Sequence, residues 1–114
     1  MNTVKTLQLG KRVIGDGQPC FIVAEAGVNH NGSVAEAKQL IKVASEVNAD
    51  AVKFQKRTVE DILTREALQR SYVGPNSYGA TYGEHRQKLE LSDVAYQELK
   101  QYAEVRKIFF LASA

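Results

Sequence analysis

The chain has 114 residues, room for one domain, with 44% hydrophobic and 25% charged side chains, as in an ordinary globular protein. Its 15 basic and 13 acidic residues leave a formal net charge of +2, too balanced to argue for nucleic acid or an anionic membrane as a partner. No apolar run approaches the ~20 residues that cross a bilayer, and the amino terminus lacks the apolar core of a secretion signal, so a cytoplasmic protein with no nucleic-acid or membrane partner is expected.

Thr6 to Leu9 and Arg12 to Ile14 are β-prone pieces around Gly10-Lys11. They predict a hairpin over 6–14, with Gly10 free to take a positive φ. Gly15-Asp16-Gly17 turns the chain out of it. Phe21 to Ala26 is almost continuously apolar, which predicts a strand covered on both faces, as in a parallel sheet. Cys20, the only cysteine, stands at the entry to that strand and is expected as a buried, inert thiol. A single cysteine makes no internal disulfide, in keeping with a reducing compartment.

A turn rich in glycine and asparagine follows Glu25, and a helix is predicted over Ser33 to Val47. Ser33 and Glu36 have the spacing of a capping box, and Val34, Ala37, Leu40, Ile41, Ala44 and Val47 form one apolar stripe. Asn48-Ala49-Asp50 ends the helix and Ala51 to Lys56 is the next strand, so Phe21 to Lys56 reads as one β-α-β unit. The stretch from Thr58 to Thr81 is long and irregular. It is predicted to hold a short helix over Val59 to Arg70 and then the turn-rich Gly74-Pro75-Asn76-Ser77-Tyr78-Gly79. A short helix is expected over Tyr82 to Leu89. Ser92 caps a clearer one, with Asp93 in its first turn and Ala95, Leu99, Tyr102 and Ala103 on one face. Lys107 precedes a third strand, Ile108 to Ala112. Ser113 and Ala114 stand where a loop would begin, so the expected product is an open partial sheet whose free edge favours association.

The chemistry concentrates on the first two of these parallel strands. Glu25 puts a carboxylate at the carboxyl end of a buried strand, where α/β enzymes keep their reactive groups. Lys53 and Gln55 alternate along the second strand and therefore share a face. For each there is a structural alternative: Glu25 bonding loop amides or a partner lysine, Lys53 merely pairing with Glu25, Gln55 capping the strand end. His30 and His85 lack the second ligand of a metal site and are expected to brace loops, His85 alternatively lying at the surface. Asn29 and Asn31 are expected to serve loop geometry, asparagine tolerating the left-handed conformation.

Four motifs in order carry a resemblance: F-I-V-A-E-A-G-V-N-H-N-G from Phe21, A-V-K-F-Q-K from Ala51, Y-G-A-T-Y-G-E-H-R from Tyr78 and I-F-F-L-A-S-A from Ile108. Together they resemble the N-terminal part of the sialic acid (N-acetylneuraminate) synthases. The resemblance implies a fold class of α/β type, the N-terminal portion of a TIM (β/α)8 barrel with a preceding β-hairpin. The rest of the barrel and an antifreeze-like domain would lie outside residues 1–114. It implies a transferase that condenses phosphoenolpyruvate with an N-acetylmannosamine-like sugar, giving a nine-carbon sialic acid and phosphate. It implies a divalent metal, Mn2+ or Mg2+, whose ligands are not in this chain, and a homodimer in the complete enzyme. Residue by residue it implies Glu25 as catalytic, and Lys53, Gln55, Asn76 and Ser113 as substrate-binding. Tyr78, Tyr82 and Glu84 would order the long loop. The chain alone is expected to be inactive. Two rivals stand beside this reading: another phosphoenolpyruvate-dependent sugar-acid synthase, and a non-catalytic β-α module that binds a partner through its open edge.

Overall fold

A computed structural model describes residue 3 and residues 5–114. Strands β1 (Thr6–Leu9) and β2 (Arg12–Gly15) form the expected antiparallel hairpin, with Gly10 at φ 55°. Strand β3 (Val23–Gly27) leads through a tight turn to helix α1 (Val34–Glu46), and β4 (Ala51–Gln55) follows. Three helices fill the long connection and its exit: α2 (Val59–Ile62), α3 (Arg65–Gln69) and α4 (Tyr82–Leu89). Helix α5 (Asp93–Val105) then returns the chain to β5 (Phe109–Ser113). The sheet is parallel, in the order β3-β4-β5. No helix of the described residues is long and apolar enough to cross a membrane.

One face of the sheet is the core. Val52 and Phe54 of β4 are sealed beneath α1 and α5, among Ala37, Ile41, Ala44, Leu99 and Ala103. The alanines at this seam let the two helices lie close on the sheet, and the larger Ile41 and Leu99 fill the space between them. The hairpin reaches the amino ends of the strands. A Cβ on Gly10, which sits at positive φ, would come within 2.8 Å of the Phe109 ring, so a side chain here would displace the ring and strain the turn. Arg12 pairs with Asp50 at 2.8 Å, and the other Asp50 oxygen accepts from the Ile22 amide at 2.8 Å. One short carboxylate therefore fastens the hairpin, the entry to β3 and the entry to β4.

Several expectations need correction. Cys20 is exposed, because the strand starts at Val23 and leaves Cys20 in the loop after Pro19. Strand β3 is not covered on both faces: Glu25 is exposed and Val23 only half-buried, since among the described residues α1 and α5 pack on one face of the sheet. The Ser33–Glu36 capping box is half made. Ser33 Oγ accepts from the Glu36 amide at 3.3 Å, but the Ser33 amide already donates to the His30 carbonyl. The complete box lies at α4 instead, where Thr81 and Glu84 cap each other reciprocally. The helix expected over 59–70 is broken at Leu63, which is extended, and Thr64 caps a new start by accepting from the Ala67 amide.

Candidate functional site

The face of the sheet opposite α1 and α5 carries the polar groups. Alternation along β4 sends Val52 and Phe54 into the core and Lys53 and Gln55 to the other side. Register then assembles the rest. Glu25 lies beside Lys53 on β3, and Leu111 and Ser113 lie beside Lys53 and Gln55 on β5. Lys53 Nζ meets Glu25 Oε1 at 2.7 Å, with the lysine side chain 34% and the glutamate 61% exposed. A register shift between Glu25 and Gly27 bends the end of β3, and Gly27 takes φ 56°. A Cβ on Gly27 would lie 4.0 Å from Gln55 Oε1, so the bare glycine leaves the Gln55 amide an open approach.

Glu25, Lys53, Gln55 and Ser113 thus share one sheet face near the carboxyl ends of three adjacent strands. The pairing of Lys53 with Glu25 was the structural alternative for both residues, and it coexists with their shared, solvent-reached position. Asn76 is elsewhere. It sits exposed at the tip of the 71–81 loop, and among the described residues no hydrogen bond or ion pair joins it to the other four. That loop is closed at its base by a Ser71–Thr81 bridge and by two backbone bonds, the Tyr72 amide donating to the Ala80 carbonyl and the Tyr82 amide to the Arg70 carbonyl. His85 is buried, not at the surface. Its Nδ1 accepts from the Tyr78 amide at 3.2 Å and its ring lies among Tyr72, Tyr78 and Tyr82. A groove of about 650 Å³ lies at the other end of the sheet, lined by Gly10, Arg12, Lys107 and Phe109, away from Glu25.

Behind this face stands a second set of residues that sequence reasoning missed. Glu90 follows α4, and its Oε2 accepts from the Arg57 amide at 3.0 Å. Tyr96 of α5 donates its hydroxyl to the Gln55 carbonyl at 2.9 Å. The signal was present in L-E-L-S: an acid between two leucines that are both buried, just before a cap serine. His30 is fully buried against Phe54, and its Nδ1 accepts from the Gly32 amide at 3.0 Å. An acceptor Nδ1 means a neutral ring with the proton on Nε2. Burial holds its pKa below the usual histidine value, partly offset by the nearby Glu90 charge. Burial, and then the Glu90 charge, push the Tyr96 phenol up to about 12.

The His30 shift makes stability pH-dependent. The folded value lies below the ordinary 6.5, so the contribution is fully present above 6.5 and is lost as pH falls through the folded value. Urea midpoints are expected to drop between about pH 7.5 and 5.5, and to drop less in His30→Gln. Equal slopes in both proteins would contradict the neutral, buried ring.

The model of the NeuB family matches residues 40–114. N-acetylneuraminate-9-phosphate synthase of Homo sapiens is 49% identical over 102 residues, covering 90% of this chain and 28% of the human protein. N,N'-diacetyllegionaminic acid synthase of Legionella pneumophila is 37% identical over 100 residues, 87% of this chain and 28% of that protein. The crystal structure of N-acetylneuraminic acid synthetase from Leptospira borgpetersenii superposes with a TM-score of 0.73 at 27% identity, over 96% of this chain and 34% of that one. The chain therefore spans a little over a quarter of the length of the curated relatives it matches. The architecture is that of the N-terminal portion of a TIM (β/α)8 barrel, hairpin first, as the motifs implied. By the family match and by these relatives, the chain belongs to the NeuB family of sialic acid synthases.

Proposed function

We propose that this chain supplies one wall of a site where phosphoenolpyruvate condenses with the open-chain aldehyde of an N-acylated amino sugar. The observation that carries this reading is the Glu25–Lys53 pair, 2.7 Å apart on the solvent-reached sheet face, with Gln55 and Ser113 in register beside it. The methylene carbon of phosphoenolpyruvate forms the new bond to the aldehyde carbon, and the aldehyde oxygen takes a proton. Water adds to the neighbouring carbon, which has become cationic. The bond from that carbon to the phosphate oxygen then breaks and inorganic phosphate leaves.

Each side chain has a physical task in that sequence. The Lys53 ammonium, already held in place by Glu25, balances the carboxylate or phosphate of the incoming anion. Glu25, released by that exchange of partners, orients the attacking water or takes its proton. The Gln55 amide hydrogen-bonds sugar hydroxyls, Ser113 donates to phosphate, and Asn76 reaches the sugar from the loop. The divalent metal, Mn2+ or Mg2+, implied by the resemblance does not fit the residues present. Among the described residues no three His, Cys, Asp or Glu side chains come together, and His30 and His85 each spend Nδ1 on a backbone amide. Its ligands belong outside this chain, and no step here passes through it. The complete enzyme is a cytoplasmic homodimer in this reading.

A chimera tests it: this chain replaces the homologous 102-residue stretch of the human synthase. Phosphate release from phosphoenolpyruvate is expected only when an N-acylated amino sugar is added, and the 114-residue chain alone is expected to give none. A folded chimera with no acceptor-dependent release, beside an active human control, would refute the proposal.

A further inference from the structure

We propose that Glu90 is a positioning residue that ties together the two loops leaving β3 and β4, and so fixes the end of the strand that presents Lys53 and Gln55. Glu90 Oε2 holds the Arg57 amide, two residues past the end of β4. Tyr96 holds the Gln55 carbonyl within the same turn of chain. Between them, two side chains from the α4–α5 region grip the backbone on either side of Lys56. Glu90 Oε1 is also buried and lacks a protein partner. So does His30 Nε2, in the loop after β3. The first is an acceptor. The second is a donor, because Gly32 occupies Nδ1. Two orphaned buried groups of opposite kind are each expensive alone and satisfied together. The Glu90 charge is felt at both His30 and Tyr96, which places all three within one electrostatic neighbourhood. The two atoms lie beyond direct reach of each other, so one bound water accepts from His30 Nε2–H and donates in turn to Glu90 Oε1. The tie runs from the loop of Glu25 to the strand of Lys53.

The inference about the tie stands on its own; its effect on catalysis rests on the synthase reading. The test therefore has two arms. In the first, 15N NMR and amide hydrogen exchange are recorded on the full chain. His30 is expected as the Nε2–H tautomer. Glu90→Ala should lower protection at Arg57 about tenfold more than at neighbouring amides and shift His30 Nε2. Glu90→Gln keeps an acceptor for Arg57 but turns a donor toward His30. It should preserve Arg57 protection while still shifting Nε2. A merely structural role would move protection everywhere alike. An Nδ1–H tautomer at His30, or uniform loss of protection in Glu90→Ala, overturns the tie. Should Glu90→Ala not fold, the wild-type tautomer and Glu90→Gln decide. In the second arm, Glu90→Ala in the chimera should raise the KM for phosphoenolpyruvate about tenfold, with Glu90→Gln restoring most of it. An unchanged KM in Glu90→Ala removes the positioning role. A chimera inactive with Glu90 intact counts against the synthase reading alone, and the spectra still decide the tie.

Discussion

Exchanging Lys53 for methionine in the chimera is expected to lower kcat/KM for phosphoenolpyruvate by about three orders of magnitude and to leave stability nearly unchanged. The two halves of this expectation have separate reasons. Lys53 and Glu25 are 34% and 61% exposed, so water replaces the lost partner and the pair contributes little to folding. Methionine keeps the length and the apolar stem that lies along the sheet. In the proposed reading the anion would meet Lys53 in the completed chimera, where the rest of the barrel would shield the pair from bulk water and a missing countercharge would be felt more strongly. Arginine is a poor substitute, because its planar fork demands more room than the ammonium beside Glu25. Steady-state kinetics with urea denaturation on the same samples decide the matter. A loss under about threefold would show that Lys53 is only Glu25's partner.

Gly32→Ala is expected to cost about 3 kcal/mol of stability, against about 1 kcal/mol for Gly17→Ala. Both glycines have positive φ, 78° and 74°, so both alanines carry the same backbone penalty. They differ in their surroundings. A Cβ on Gly17 meets nothing within 4 Å, whereas one on Gly32 would overlap the Lys88 carbonyl oxygen. That obstacle is backbone at the end of α4 and cannot rotate aside. The strain would also pull on the Gly32 amide, which holds His30 Nδ1. Urea midpoints at unchanged m-value give both numbers. Equal losses in the two variants would mean that α4 yields to the extra methyl at no expense.

The parts of this fold legible in the sequence are those set by local rules. The hairpin, β4, α4 and α5 were readable because turn glycines, period-two alternation and cap residues act over a few positions. Two kinds of feature were not. The break at Leu63 has no proline or glycine to announce it; its local signal is the Thr64 cap, which a continuous helix over 59–70 overlooked. Glu25 is exposed because α1 and α5 cover only the opposite face of the sheet, and Cys20 because β3 starts at Val23; a strand's own residues state neither. In the candidate site, alternation alone put Lys53 and Gln55 on one face, and register then added Glu25 and Ser113. Glu90 and Tyr96 escaped notice because each acts on backbone atoms 33 and 41 residues away. His30 was recognised as a loop brace, but its rest against Phe54 was not.

The long connection between β4 and α4 divides into a base and a tip. Tyr72, Tyr78 and Tyr82 surround His85, and Ser77 Oγ lies within hydrogen-bonding reach of the carbonyls of Tyr72 and Gly79, its single proton going to one of them. Val73 to Asn76 project beyond this knot into water. Residues at the tip are therefore free to diversify without loosening the base. On the proposed reading, in which Asn76 reaches the sugar, a handful of codons at this tip would retune acceptor choice and leave the scaffold beneath untouched.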